Sequence, residues 1–172
     1  MKDVLDQFQN WAKPQKVNLN LLCGPGNACI KPEPLGTALV MSAWNYPLVT
    51  GIDYVATNIA AGNCVLFKPS ERAPHVSNVC KELFDKYLDK RFYQVLEGGV
   101  ETSTALTTSN LIDVIVFTGG TFVGKIIAKN AAENLVPCIL ELGGKCPTII
   151  DEGVDIENTC KKIALGKFMN AG

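Results

Sequence analysis

Residues 117–125 read Phe117-Thr118-Gly119-Gly120-Thr121-Phe122-Val123-Gly124-Lys125. The run that leads into them, Leu111-Ile112-Asp113-Val114-Ile115-Val116-Phe117, is mostly apolar and β-branched, which predicts a buried strand. Beyond them, Val123, Ile126, Ile127 and Ala131 recur at helical spacing, which predicts a helix to about Asn134. A strand that turns into a helix across two glycines brings free backbone N–H groups and the positive end of a helix dipole to one spot, and that spot suits a phosphate. The same pattern also suits a plain β–α turn whose glycines serve geometry alone.

Around this stretch lie 172 residues, enough for a sizeable core, with 47% hydrophobic and 19% charged side chains. This is a globular composition. A net charge of −1 argues against a non-specific binder of nucleic acid or of anionic membranes. Seven cysteines (Cys23, Cys29, Cys64, Cys80, Cys138, Cys146 and Cys160) form no C-x-x-C pair, and several sit in apolar runs. With a single histidine, a zinc cluster is disfavoured and no metal site is expected. Reduced, mostly buried thiols in a cytoplasmic protein are the plain expectation. Asp3 and Asp6 interrupt any leader-like apolar stretch, and no apolar run is long enough to span a bilayer.

Residues 1–33 read as an N-terminal segment. Val4, Leu5, Phe8 and Trp11 fall on one face of a short helix. After Pro14, alternation through Val17, Leu19 and Leu21 predicts a weak strand, Gly24-Pro25-Gly26-Asn27 a turn, and Cys29-Ile30-Lys31 a returning strand. Pro32 and Pro34 mark a boundary. Over residues 34–150, strands at 35–43, 64–67, 93–96, 111–117 and 136–140 alternate with helices at 47–61, 74–88, 100–108 and from 121 to about 134. In the second of these helices the predicted inner face is Val76, Val79, Cys80, Leu83, Phe84 and Tyr87. Residues 151–172 read as the start of a further unit, with a helix carrying Ile156, Cys160, Ile163, Ala164 and Phe168. Strands and helices joined by short connections imply right-handed βαβ units. The expected fold class is therefore α/β: a Rossmann-like, mostly parallel sheet with helices on both faces.

Ligands of such sheets bind at the carboxyl ends of the strands. Asn45, Lys68, Glu71, Thr118 and Glu141 all fall at those ends. Lys68 could bond phosphate or ribose hydroxyls, and Glu71 could accept from ribose; alone, each also suits a solvated turn. Glu141 could serve as a general base at a partly dry strand end, or cap or pair locally. Asn45 could point its amide N–H at a developing oxyanion, or simply shape the turn before Pro47. His75 reads as a surface residue. From Gly119 to Lys125 the spacing also fits G-x-x-x-x-G-K, the phosphate loop of nucleotide hydrolases, and Thr148-Ile149-Ile150-Asp151 imitates the metal-holding strand of those enzymes. Ile126, where a hydroxyl should bind magnesium, counts against that reading.

Trp44-Asn45-Tyr46-Pro47, Lys68-Pro69-Ser70-Glu71, the 117–125 stretch and Leu140-Glu141-Leu142-Gly143-Gly144-Lys145 together resemble, in order and spacing, the successive motifs of the aldehyde dehydrogenase superfamily. Glu33-Pro34-Leu35-Gly36, Tyr87-Leu88-Asp89-Lys90 and Gly98-Gly99-Val100 most resemble its class 3, fatty and aromatic aldehyde enzymes. The resemblance implies NAD(P)-dependent oxidation of an aldehyde to a carboxylic acid through a cysteine thioester. It implies Asn45 as oxyanion donor and Glu141 as the base for water. Lys68 and Glu71 would hold ribose, Trp44 would line the cofactor cleft, and Thr118, Gly119, Gly120, Thr121, Val123, Gly124 and Leu142 would lie along the dinucleotide. It implies a small-molecule aldehyde as partner, no nucleic acid, a homodimer when full length, and membrane attachment only through a C-terminal segment outside these residues. Phe168-Met169-Asn170-Ala171-Gly172 resembles the motif that precedes the family's nucleophilic cysteine, so the nucleophile is expected beyond Gly172 and none of the seven cysteines takes its place. Cys146 stands where the family usually has Ser, and Gly120 where it commonly has a small polar residue. A non-catalytic module that binds a dinucleotide or another protein is the alternative.

Overall fold

The computed structural model describes residues 2–170, apart from the side chain of Leu21; of the expected terminal motif, Ala171 and Gly172 lie outside the described residues. Five parallel strands form the central sheet: β3 (Thr37–Met41), β4 (Cys64–Lys68), β5 (Tyr93–Val95), β6 (Val114–Gly119) and β7 (Cys138–Leu142), in the spatial order β5-β4-β3-β6-β7. A separate two-stranded antiparallel hairpin pairs β1 (Gln15–Val17) with β2 (Ala28–Ile30). The helices are α1 (Lys2–Trp11), α2 (Val49–Ala60), α3 (Pro74–Tyr87), α4 (Val100–Thr107), α5 (Thr121–Ala132) and α6 (Ile156–Phe168).

Side chains alternate across the pleat, so each central strand feeds two cores. Val40, Val65, Phe67 and Val116 point to one face, where Val55 of α2 and Cys80 and Phe84 of α3 cover them. Leu39, Met41, Ile115 and Phe117 point to the other, against Ile127 and Ala131 of α5. Phe67 is wholly buried, and its ring centroid lies 5.9 Å from that of Phe84. This is the two-sided burial that the apolar strands predict.

The start of β3 is clamped from both sides. Asn63, in the turn before β4, accepts from the Gly36 N–H at 3.1 Å across 27 residues. Asp113, just before β6, accepts from the Thr37 N–H at 2.7 Å across 76 residues.

Several sequence-based expectations need correction. The first hairpin strand ends at Val17, not Leu21, because Asn20 Oδ1 accepts from the N–H groups of Leu22 and Cys23 and folds Leu21–Cys23 into a 3₁₀ turn. The strand placed at 111–117 runs from 114 to 119, and the strand at 136–140 from 138 to 142. The pairs Thr118–Glu141 and Gly119–Leu142 extend the ladder past the apolar runs. No strand forms over 148–150, where the residues are exposed. On α3 the inner face is Val76, Ser77, Cys80 and Phe84, while Val79, Leu83 and Tyr87 face outward. On α5 it is Gly124, Ile127 and Ala131, with Val123 and Ile126 exposed. On α6 no residue is buried. The cysteines are free, but only Cys80 is buried; Cys23, Cys29, Cys146 and Cys160 are exposed. Cys23 and Cys29 flank the hairpin turn and Cys146 follows β7, all outside the two cores that an apolar-run reading would place them in.

Candidate functional site

The chain order of the sheet reverses between β3 and β6. β4 and β5 extend to one side of β3, and β6 and β7 to the other. The loops that leave β3 and β6 therefore diverge, and a crevice opens between the carboxyl ends of these strands. It is a cleft of about 740 Å³.

At the end of β3, the Ser42 N–H donates to the Lys68 carbonyl at 3.3 Å and so ties β3 to the end of β4. Thr50 Oγ1 accepts from the Ala43 N–H at 3.0 Å and donates to the Tyr46 carbonyl at 2.9 Å. These bonds hold the bend that carries Trp44 and Asn45, both exposed and both lining the cleft. Helix α2 begins at Val49 rather than Pro47.

At the end of β4, Lys68 is only 3% exposed. Its Nζ donates to the Pro69 carbonyl at 3.2 Å and to Glu71 Oε2 at 3.3 Å. A solvated-turn reading of this lysine is thus ruled out by its burial. Glu71 is half-exposed, and its own backbone N–H holds its carboxyl below the ordinary 4.5, with Lys68 and the charge of Arg72 adding to the effect and burial opposing it. Because the folded value is depressed, the stability Glu71 contributes is present above 4.5 and is lost as pH falls through the lower folded value. Thermal melts of the unaltered chain and of Glu71→Gln should therefore differ by a constant amount well above pH 4.5 and converge as pH falls through the lower folded value. A gap that widens with acid would contradict this.

At the end of β6, Gly119 and Gly120 differ in kind. A Cβ on Gly119 would lie 2.4 Å from Cζ of Phe117, so the ring of the strand's last aromatic residue demands glycine there. A Cβ on Gly120 would meet nothing within 4 Å, and its φ of −72° is ordinary for any residue. Gly120 thus has no packing reason of its own and opens onto the cleft. It is the N-cap of α5 and offers no side-chain cap, so the first N–H groups of that helix stay available. Thr118 also lines the cleft, and its Oγ1 is buried without a hydrogen-bond partner among the described residues. Such an orphan group calls for an external partner.

Glu141 of β7 lines the cleft as well, next to Leu142. The expected partly dry strand end is not observed: Glu141 is exposed, because β7 is an edge strand. Two further expected contacts lie elsewhere. Thr121 is exposed and does not line the cleft, and buried Gly124 lets α5 approach β7, where a Cβ would come 2.6 Å from Leu142 Cδ2. Val123 lines the cleft; Lys125, the lysine of the nucleotide-hydrolase reading, does not. None of the seven cysteines lines it, and burial pushes the Cys80 and Cys138 thiols up.

Sequence reasoning missed Ser42, Ser70 and Arg72 at the strand ends, and the α4 wall formed by Val100, Ser103, Thr104 and Thr107 with Asn130 of α5. The α4 hydroxyls donate back to carbonyls one turn earlier, as from Ser103 to Gly99 and Thr107 to Ser103. A helix that satisfies its own hydroxyls can wall an apolar cleft. Asn130 Nδ2 donates to Thr107 Oγ1 at 2.9 Å and joins the two helices. Arg72 was within reach of a positional argument, since it directly follows Glu71; the α4 wall was not, because helical periodicity does not say which helix packs beside which.

Comparison with known proteins gives a consistent result. The model of the aldehyde dehydrogenase family matches residues 3–172. Aldehyde dehydrogenase family 3 member I1, chloroplastic, of Arabidopsis thaliana is 44% identical over 95% of this chain and 30% of its own length. Family 3 member A2 of Macaca fascicularis is 43% identical over 98% of this chain and 35% of its own. The chain thus spans about a third of the length of these curated relatives. Among solved structures, substrate-bound AldH of Staphylococcus aureus superposes with a TM-score of 0.93 at 40% identity, over 99% of this chain and 37% of that one. A Mycobacterium tuberculosis aldehyde dehydrogenase complexed with NAD+ superposes at 0.86 with 32% identity, over 98% and 35%. Strand-end motifs, five-stranded parallel sheet and whole-chain match agree, and the chain belongs to the aldehyde dehydrogenase family.

Proposed function

We propose that this chain forms the nicotinamide-dinucleotide-binding part of an enzyme that oxidises an aldehyde to a carboxylic acid. The observation that carries the reading is the pairing, in one cleft, of buried Lys68 and its half-exposed partner Glu71 with the uncapped start of α5 beside Gly120. The orphaned Thr118 hydroxyl and the open space at Gly120 fit a dinucleotide. Lys68 would donate to ribose hydroxyls, and Glu71, ionised at neutral pH, would accept from them. Backbone N–H groups at the start of α5 would take the pyrophosphate. Trp44, Val123 and Leu142 would supply apolar wall. When bound, the nicotinamide supplies hydride acceptance.

Asn45 would donate its amide N–H to the oxygen that gains charge as a thiolate adds to the aldehyde carbon. Glu141 would take the proton from the water that hydrolyses the resulting thioester. The thiolate is assigned to none of the seven cysteines, since none reaches the cleft. A fatty or aromatic aldehyde as substrate, a homodimer as the assembled form and a cytoplasmic setting complete the reading, on the sequence resemblance and expectation alone.

Calorimetric titration of the 172-residue chain is expected to show saturable binding of a nicotinamide dinucleotide, without NADH formation from long-chain or aromatic aldehydes. No heat with millimolar NAD or NADP would remove the cofactor reading. NADH production lost on replacing one of the seven cysteines would overturn the thiolate assignment, and NADH production that survives replacement of all seven would remove the thiolate chemistry itself.

A further inference from the structure

We propose that Asn130 reads the purine base of the bound dinucleotide, and that Thr107 locks it in the orientation that accepts from an exocyclic amine, so that the cleft selects adenine over hypoxanthine. The inference rests on the dinucleotide reading above. That reading puts the reacting ring beside Asn45 and Glu141, at the ends of β3 and β7, and the pyrophosphate at the start of α5. The other base is left to the α4–α5 end of the cleft. There Val100 of α4 and Phe122, Val123 and Ile126 of α5 are exposed apolar side chains that line the cleft. They make walls for a flat ring but cannot tell one purine from another. Asn130 lies nine residues beyond Thr121, the first residue of α5, or about 14 Å along the helix, and its side chain leans back toward the helix start. A nucleoside whose phosphate sits at that start reaches this far with the edge of its base.

The orientation of the Asn130 amide follows from its neighbours. Buried Thr107 Oγ1 keeps its only hydrogen within α4, donating to the Ser103 carbonyl at 2.9 Å and, less favourably, to the Thr104 carbonyl at 3.2 Å. From α5 it can therefore only accept. The atom of Asn130 that meets it at 2.9 Å is the Nδ2 donor. Oδ1 is left over: among the described residues it receives no hydrogen bond, and it is not sealed from solvent. Asn130 lines the cleft, so this end of the slot presents an acceptor. Adenine carries an amine at C6 and can donate to it. Hypoxanthine carries a carbonyl there, which sets one acceptor against another. Turning the amide to meet that carbonyl would bring Oδ1 against Thr107 and break the bond from Thr107 to Ser103.

The test is calorimetry of NAD and of its hypoxanthine analogue on the unaltered chain, Asn130→Ala and Thr107→Val, each paired with a thermal melt to show that the chain is folded. The unaltered chain is expected to bind NAD about 5- to 10-fold more tightly than the analogue, the scale of one neutral hydrogen bond. Asn130→Ala should weaken NAD by that factor and leave the analogue within about twofold. Thr107→Val keeps the shape of the buried side chain but frees the amide to turn. It should hold NAD within about threefold and improve binding of the analogue, so that the preference collapses. A merely structural role would move both ligands together in either variant. Equal affinity of the unaltered chain for the two dinucleotides, an equal loss of both in Asn130→Ala, or an undiminished preference in Thr107→Val overturns the proposal and leaves the dinucleotide reading standing; binding of neither overturns both.

Discussion

Phe67→Ala is expected to cost about 3–5 kcal/mol of folding stability, the range for truncating a fully buried aromatic ring. The ring has no exposed surface, lies against Phe84 of α3, and fills the space that Gly51 of α2 leaves, where a Cβ would approach its Cζ to 2.5 Å. It therefore fastens two helices to the sheet at once. α2, β4 and α3 cannot all close on the gap without breaking the Gly51 contact or the strand register, so collapse would recover little of the loss. Against a total stability of about 5–15 kcal/mol for a domain, this removes a large share. Denaturant unfolding followed by circular dichroism measures it, and a loss below about 1 kcal/mol would show the site to be far more compliant than its packing indicates.

Lys68→Met is expected to weaken dinucleotide binding about 10- to 100-fold, the scale of losing one hydrogen bond from a charged donor. Stability should change little. Methionine fills the same buried channel, and of the two acceptors left behind the charged one is not stranded, because the Glu71 side chain is 51% exposed and can be hydrated; only the neutral Pro69 carbonyl loses its donor. This separation of the two readouts distinguishes a ligand-holding lysine from a structural one. Calorimetry paired with a thermal melt tests it. Unchanged affinity would take Lys68 out of the binding site, and a collapse of the fold would make it a structural residue first.

The architecture was legible because its signals are local. Alternating apolar runs and breakers such as Gly62-Asn63 and Pro69 locate each strand and helix of the central sheet from sequence alone. Hydrogen-bond ladders then override hydrophobicity at the edges. Thr118, Gly119, Glu141 and Leu142 belong to strands because they pair with one another, although no apolar run includes them all. At the cleft, motif residues at strand ends were readable, since chain direction alone places them. The roles of the two glycines were not: Gly119 answers to a ring two residues earlier, while Gly120 answers to nothing within the chain. Helix faces misled where an apolar residue such as Val79 or Ile126 points away from the sheet, because periodicity defines a stripe wider than the strip of sheet that covers it. The cysteines misled for a related reason, as composition cannot tell a core thiol from one in a hairpin or connecting segment.

The two clamps at the start of β3 also bear on how the fold assembles in time. Its link to β4 closes a loop of 27 residues and its link to β6 a loop of 76. By loop-closure entropy the longer one costs only about 0.9 kcal/mol more, so the difference is one of order rather than of stability. During synthesis from the N-terminus, β3, α2, β4, α3 and β5 all leave the ribosome before β6 exists. This half can pair while one side of β3 still lacks its neighbour. That open edge carries Ala38, Leu39 and Val40, all with no exposure once the sheet is complete. The interval before β6 arrives is therefore the period in which the nascent chain is most prone to pair with another copy of itself.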